Sequence, residues 1–442
     1  MPLPESGLKA RTLGHASLAI YREGERPLLL TDPWLVGSVY WRSWWLQNYP
    51  SAAEIDWLAT AAHVYVTHEH PDHFHMPSIR RLGTDPLYLF PDLAEQGFVR
   101  YLTEHGYRAK AAPAVHWLPV GEGVSILSIP MWNDDSLLLI DTPNALILNL
   151  NDAKPLPPVL KALCRLADRI GKPRILLCSY SPASVVNSFL DDNGVVALRS
   201  ERHYVDYACR LCDRLSIDYY LPFASQAVFC RPDSLWANDY RTTYDHLCRY
   251  WGSRARLLPP FTTLDLWDFR YTAVPAEAYQ VANPSTLARH VTQRMTEERT
   301  ADLTIEEIAL LERKLNVFRW LLWVLFPRGF MFRLGSRGLL YDPRRGRLRE
   351  GATESQGDFV IDVPPATMKE ALHNDHLTDL GITMFVRIRL LRSIDPRKAY
   401  GLFVLFQFDD YRHLAGLGPF LRWLGRGVRF TLARLPAPPQ PR

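Results

Sequence analysis

At 442 residues, with 47% hydrophobic and 22% charged residues, the chain is long enough for two packed cores and has an ordinary globular balance. Its net charge of +4 is not gathered into a basic stripe, so nucleic acid is not expected as a partner; an anionic small molecule fits the balance. The longest apolar run, Val317 to Phe326, is broken by Arg319 and falls well short of the roughly 20 residues that a membrane span needs.

Met1 to Arg11 holds no basic stretch followed by an apolar one, so no secretory leader is expected. Ser17 to Tyr21 and Leu28 to Thr31 read as paired strands, the second ending at Asp32-Pro33, and His63 to Thr67 reads as a strand whose end delivers a histidine-rich loop. Further strands are expected at Leu87 to Phe90, Val124 to Ile129, Ser136 to Ile140 and Ala145 to Leu150. Asp92 to His105 and Pro157 to Ile170 have helical spacing between them. A long helix over Arg199 to Leu215 precedes a strand at Asp218 to Leu221. Such a series predicts two sheets flanked by helices, with functional loops at the strand ends.

A domain boundary is expected within Ala273 to Asn283, which divides the chain into a domain over residues 1–272 and a smaller α/β domain over 290–436. The second opens with a helix over Thr304 to Arg319, capped by Asp302 or Thr304, and continues with strands at Asp358 to Val363, Ile382 to Arg389 and Ala399 to Phe406. Leu315 to Phe326 is apolar nearly all round, which predicts a buried helix or one lining a lipid-like cavity. Phe420 to Arg434 alternates large apolar and basic residues. It is expected to pack on the domain's own surface rather than on a membrane, its two glycines weakening it as a helix. "HNDH", with His373, Asp375 and His376, reads as an exposed turn after a helix. Six cysteines form no disulfide framework, and Cys209 and Cys212 are read as two thiols on one helix, so a reducing, cytoplasmic setting is expected.

The chemistry concentrates in Thr67-His68-Glu69-His70-Pro71-Asp72-His73. Imidazoles and carboxylates are the usual ligands of zinc, iron and manganese, and a tight loop after a strand lets His68 and His70 face one metal while Asp72 and His73 serve a second. Two ions need more donors. Asp152, just past a buried strand, is a candidate bridge, and Asp32 is a candidate to orient a histidine through its free N–H.

The strand ending in Asp32, the H-x-H-x-D-H loop and the later strand ending in Asp152 together resemble the metallo-β-lactamase superfamily. The likeness is nearest to the branch that contains CMP-N-acetylneuraminate hydroxylase. It is carried by "LGHASLAI", "TDPWLVGSVYWRSWWL", "VYVTHEHPDHFHMPSIRRL", "ILNLNDAKP" and "LPFASQAVFCRPDS", over roughly residues 10 to 270. The resemblance implies an αββα sandwich, ahead of the smaller α/β domain already read from the later strands, with two divalent metals at one sandwich edge. His68 and His70 would hold one metal, Asp72 and His73 the other, and Asp152 would bridge them. Residues Leu339 to Leu391 faintly resemble sterol-carrier-type domains, which implies an apolar ligand for the second domain.

This chain departs from the pattern in three places. Where relatives place a third-motif histidine it reads Met131-Trp132-Asn133-Asp134-Asp135, so a carboxylate is expected to substitute, Asp135 first and Asp134 second. The last motif's histidine falls close to Arg231, which cannot ligate a cation and is a candidate to grip an anionic substrate group. His75 and His246 are the histidines available to replace it, both read as surface residues. No Rieske-type Cys/His cluster is found, so the hydroxylation of sialic acid that needs one is not expected.

Two enzyme readings follow, and a third without catalysis. A carboxylate in place of a histidine shifts preference from zinc toward iron or manganese and favours a di-iron oxygenase on an organic metabolite, with Trp41, Trp44 and Trp45 shaping a dry pocket. The alternative is a zinc or manganese hydrolase using an activated water that Asp72 would orient. The last is a degenerate scaffold. In the enzyme readings Asp72 and Arg231 are the candidate catalytic residues. The substrate is expected to be anionic and partly apolar, or carrier-bound.

Overall fold

The structure is a computed structural model and describes residues 7–93, 96–182, 188–275, 284–391 and 394–438. Its first half is a four-layer αββα sandwich, the architecture that the resemblance implied. One sheet has eight strands, running Tyr271–Ala273, Thr262–Asp265, Leu8–Leu13, Ser17–Arg22, Pro27–Thr31, His63–Tyr65, Leu87–Pro91 and Arg108–Ala112 across its width. The other has seven: Arg256–Leu257, Tyr219–Phe223, Arg174–Ser179, Leu146–Asn151, Ser136–Asp141, Val124–Pro130 and Trp117–Gly121.

The two-residue period of a strand sorts side chains between the layers. Along Leu146–Asn151, Ile147 joins the core between the sheets, where it meets Leu18, Ile20 and Leu29. Its neighbours Leu146, Leu148 and Leu150 face helices Pro157–Ile170 and Glu201–Leu215, through Leu163, Leu166, Val205 and Leu211. On the opposite outer face, Ala19, Leu30 and Val64 pack beneath helices Ala52–Leu58, Met76–Leu82 and Gly97–Glu104. Both faces of each central strand are therefore covered, which is why these strands read as apolar runs rather than as alternation.

The second half is built on another seven-stranded sheet, ordered Gly194–Val196, Phe189–Asp191, Arg387–Leu390, Phe359–Asp362, Phe330–Leu334, Arg337–Asp342 and Arg347–Glu350. Its first two strands come from the chain before residue 272, with Phe189 paired to Ile388. The boundary expected within Ala273 to Asn283 falls largely on 276–283, outside the described residues.

Three expectations for this half are corrected. Ala399 to Phe406 is not a strand but part of helix Pro396–Asp410. Asp395 caps that helix by accepting from the Arg397 N–H at 2.9 Å, with Pro396 in the first helical position. The strand expected over Ile382 to Arg389 is confined to Arg387–Leu390, since Thr383 turns the chain by accepting from the Val386 N–H. Leu315 to Phe326 is not one buried helix: Ile305–Val317 ends at Phe318, and Arg319–Leu325 follows with Trp320 68% and Val324 74% exposed. Only its other face, through Leu322, reaches the core.

Helix Leu417–Thr431 runs through both of its inner glycines and packs Trp423 and Phe430 near Trp132 of the first half. Gly427 permits this: a Cβ there would meet the Trp132 ring at 2.4 Å. Gly427→Ala is expected to cost about 1–3 kcal/mol in chemical denaturation as an overpacked contact; an unchanged midpoint would mean that this helix does not sit against Trp132. No helix among the described residues is long and apolar enough to cross a membrane.

Candidate metal centre

Strand order brings the chemistry to one edge. Pro27–Thr31 and His63–Tyr65 are parallel, so Asp32 and the histidine loop leave the same end of the sheet. In the facing sheet Ser136–Asp141 and Leu146–Asn151 are antiparallel, which places Asp135, before the one, beside Asp152, after the other. Asp32 (φ 41°) and Asn151 (φ 38°) both take left-handed backbone, a conformation Asp and Asn tolerate better than most residues.

At this edge ligand-type atoms converge. His68 Nε2 faces His70 Nδ1 at 2.9 Å. His73 Nε2 lies 3.5 Å from Asp152 Oδ2 and 3.6 Å from Asp72 Oδ2. Among the described residues, two groups have ligand atoms all within 4.8 Å of one another: His68, His73 and Asp152, and His15, Asp72 and His73. His73 belongs to both.

His15 is the residue that the sequence did not single out. It is buried in the turn between the first two strands, with Nε2 3.2 Å from Asp72 Oδ2. Its place in "LGHASLAI" was the only signal, and a lone histidine in a turn carries no ligand spacing. In space it stands on Asp72 and His73, where a histidine from the last motif was missed.

Behind the converging atoms sits a ring of carboxylates. Each histidine of the loop turns its other nitrogen to one of them: His68 Nδ1 to Asp135 at 3.3 Å, His73 Nδ1 to Asp32 at 3.1 Å, and His70 Nε2 to Asp379 at 4.0 Å. Such pairing fixes tautomer and ring orientation and makes an imidazole a better donor at His68 and His73; Asp379 stands beyond hydrogen-bond reach of His70. Asp32 is itself held by the Thr67 N–H at 2.7 Å and the Thr67 hydroxyl at 2.8 Å. Asp379 comes from the 3-10 turn Thr378–Gly381 of the second half, which closes over this edge. There the Trp44 indole donates to Ile382 O at 3.0 Å and the Trp41 indole to Glu370 at 2.9 Å.

The residues present fit metal ions. His73 Nε2, Asp152 Oδ1 and both nitrogens of His15 are buried without a hydrogen-bond partner among the described residues, although such atoms normally have one. Burial, followed by the charges of Asp410 and Asp72, raises the Asp379 carboxyl well above its ordinary range, a shortage of positive charge that a cation on His70 would relieve. Tyr40 donates to Asp72 Oδ1 at 2.6 Å. Trp34 and Trp44 pack with Tyr40 against Phe229 and Met384, so the tryptophans of this stretch are core and pocket wall together.

Two expected assignments change. Asp135 lies at the far nitrogen of His68, behind the converging atoms, while Asp134 is drawn away to bond His413. Arg231 is not free for an anionic substrate. It is 1% exposed, with Nε 2.7 Å from Asp233, a second nitrogen 2.6 Å from Glu298, and its plane stacked on Phe385. Its charge is already spent inside the protein. His75 is buried rather than on the surface and bonds Ser78 at 2.8 Å; His246 caps helix Tyr244–Tyr250. Neither joins the centre; His373 binds Glu307 away from it, and His376 Nδ1 lies 3.6 Å from Asp379, the carboxyl near His70.

Asp32→Asn should weaken metal binding by about 10–100-fold with all ligands intact, measured by competition with a chromogenic chelator. Wild-type affinity would mean that His73 is oriented without it.

No known family model matches the chain. Over 83 residues it is 37% identical to the cytidine monophosphate-N-acetylneuraminic acid hydroxylase of Asterias rubens, 19% of this chain and 12% of that protein. Over 247 residues it is 24% identical to the inactive cytidine monophosphate-N-acetylneuraminic acid hydroxylase of Homo sapiens, 53% of this chain and 48% of that protein. The chain thus spans about half or less of the length of these relatives. Both likenesses fall on the branch to which the motifs pointed. Among solved structures, the isothiocyanate hydrolase from Delia radicum gut bacteria matches with 14% identity and a TM-score of 0.41, covering 61% of this chain and 100% of that one.

Proposed function

We propose that the chain is a metal-dependent enzyme acting on a small organic molecule, and that it works as a non-haem iron oxygenase. The observation behind this reading is the inward convergence of His15, His68, His70, Asp72, His73 and Asp152, with a carboxylate behind His68 and another behind His73. Carboxylates in that position raise the donor strength of imidazoles, and a mixed histidine and carboxylate donor set accepts iron. Two iron ions held there would supply the activation of dioxygen. The protein's own part is to orient the ligands through Asp32 and Asp135, to hold Asp72 with Tyr40, and to exclude water with Trp34 and Trp44. The sequence likeness to hydroxylases supports the oxygenase class, and the six free cysteines fit the reducing cytoplasm.

One observation favours a second reading. With His15 at the centre and Asp135 behind it, the donor set is richer in nitrogen than the sequence suggested, which suits zinc and a hydrolase. Metal quantification on anaerobically purified protein, with an oxygen-consumption assay, separates the readings. About two irons per chain with substrate-dependent oxygen uptake are expected. Zinc or manganese without uptake would replace the oxygenase by the hydrolase, and metal-free protein would leave a scaffold.

A further inference from the structure

We propose that Arg241, with the hydroxyls of Ser181 and Ser225, seats an anionic group of the substrate beside the metal centre. The proposal rests on the metal-enzyme reading for the role of that seat, though not for its capacity to bind an anion. A pocket in the first half is lined by His15, Trp44, Ser181, Ser225, Phe229 and Arg241. His15 is shared with the candidate metal centre, where it touches Asp72, so whatever fills the pocket reaches the metals' edge.

The polar groups of this pocket are donors. Ser225 Oγ accepts from the backbone N–H groups of Tyr180 at 2.9 Å and Ser181 at 3.1 Å, and Ser181 Oγ accepts from the Thr242 N–H at 2.9 Å. A hydroxyl has one hydrogen to give and two lone pairs to accept with. With backbone donors on their oxygen and no acceptor for their O–H among the described residues, both serines can offer it to a ligand. Arg241 is partly buried and donates to Gln47 Oε1 at 3.3 Å. No carboxylate forms an ion pair with it among the described residues. A guanidinium stays charged, and sheltering it from water without a counter-ion is costly.

Arg231 gives the contrast within the same protein. Buried to the same edge of the fold, it carries two carboxylates of the chain's own. Arg241 has been left an amide. A positive group with two free hydroxyl donors and no resident anion is the donor set of an oxyanion seat. The walls from Trp44 and Phe229 add an apolar surface, so the ligand class is an organic molecule with an apolar or aromatic body and a carboxylate or phosphate. This replaces the anion-binding role expected of Arg231.

Isothermal titration of the full chain, as purified with its metals, tests the seat with inorganic phosphate and, separately, with acetate. At least one anion is expected to bind, at a stoichiometry of one, with Arg241→Gln weakening it tenfold or more. Gln47→Glu places a carboxylate of the chain on Arg241 and is expected to abolish the same binding without lowering the unfolding midpoint; it decides the matter if Arg241→Gln does not fold. Preference for acetate assigns a carboxylate substrate, and preference for phosphate a phosphorylated one. Binding by neither anion overturns the proposal, as does binding that persists in both variants, which would place the anion on the metals. Metal content and oxygen uptake are read separately, so failure of the oxygenase reading leaves this result standing.

Discussion

Replacing His73 with alanine is expected to strip metal from the position on Asp72, because its Nε2 lies against Asp72 and Asp152 while its Nδ1 is taken by Asp32. If an ion held by about four protein ligands gains roughly 10–16 kcal/mol, one ligand carries about 3 kcal/mol, a loss of more than a hundredfold in affinity at that position. His15→Ala, by the same geometry, should weaken the same position. Metal content after dialysis, with circular dichroism to confirm the fold, checks both; two ions retained in His73→Ala would take His73 out of the ligand set. A pH dependence accompanies it. Burial alone would lower the pKa of His73, but the charges of Asp72 and Asp32 carry it well above the ordinary histidine range. The metal-free centre therefore favours the protonated form of His73. Metal loading has to expel that proton, so affinity should fall as the solution is made more acid, with proton release measurable in weakly buffered solution.

Arg231→Met should leave metal content unchanged and remove about 3–5 kcal/mol of stability, because it strands Asp233 and Glu298 beside a buried gap. The size follows from what remains: breaking a buried pair from one side leaves the partner charges desolvated and unanswered. Chemical denaturation with metal analysis reads the two effects apart. Lost metal with wild-type stability would return Arg231 to the active site. The double change Arg231→Met with Glu298→Gln should recover part of the loss, since one stranded carboxylate is gone.

The sandwich was legible because its signals are local. Apolar runs bounded by turns mark central strands, and His68, His70, Asp72 and His73 declare themselves by spacing within one loop. Asp152 and Asp32 were reachable as residues at strand ends. What could not be read depends on distance through the fold. His15 gains meaning only when the turn before Ser17 is laid against Asp72. Asp379 stands far along the chain from His70 and is brought near by packing of the second half. Asp135 was assigned to a ligand position from sequence order, yet order does not say which nitrogen of His68 it meets. Arg231 is the reverse case: its partners include Glu298, on a helix beyond the expected boundary, and nothing in "FCRPDS" announces it. Helix Pro396–Asp410 was mistaken for a strand because its apolar run was weighed above the Asp395-Pro396 start.

The strands Phe189–Asp191 and Gly194–Val196 give the molecule an order of assembly. They belong to the first part of the chain to be synthesised, yet Phe189–Asp191 lies parallel to Arg387–Leu390, made near the end. Domains commonly fold as they emerge, and pairing across so long a separation is slow because loop closure comes first. On that order the sandwich would carry a hairpin still open along Phe189–Asp191, and His70 would lack Asp379 near it. The last strand to arrive closes the sheet, and the same stretch of chain brings the last carboxylate to the metal centre. Nascent chains halted before residue 387 should thus expose a strand edge to chaperones and hold metal poorly, so that a competent centre reports a finished protein.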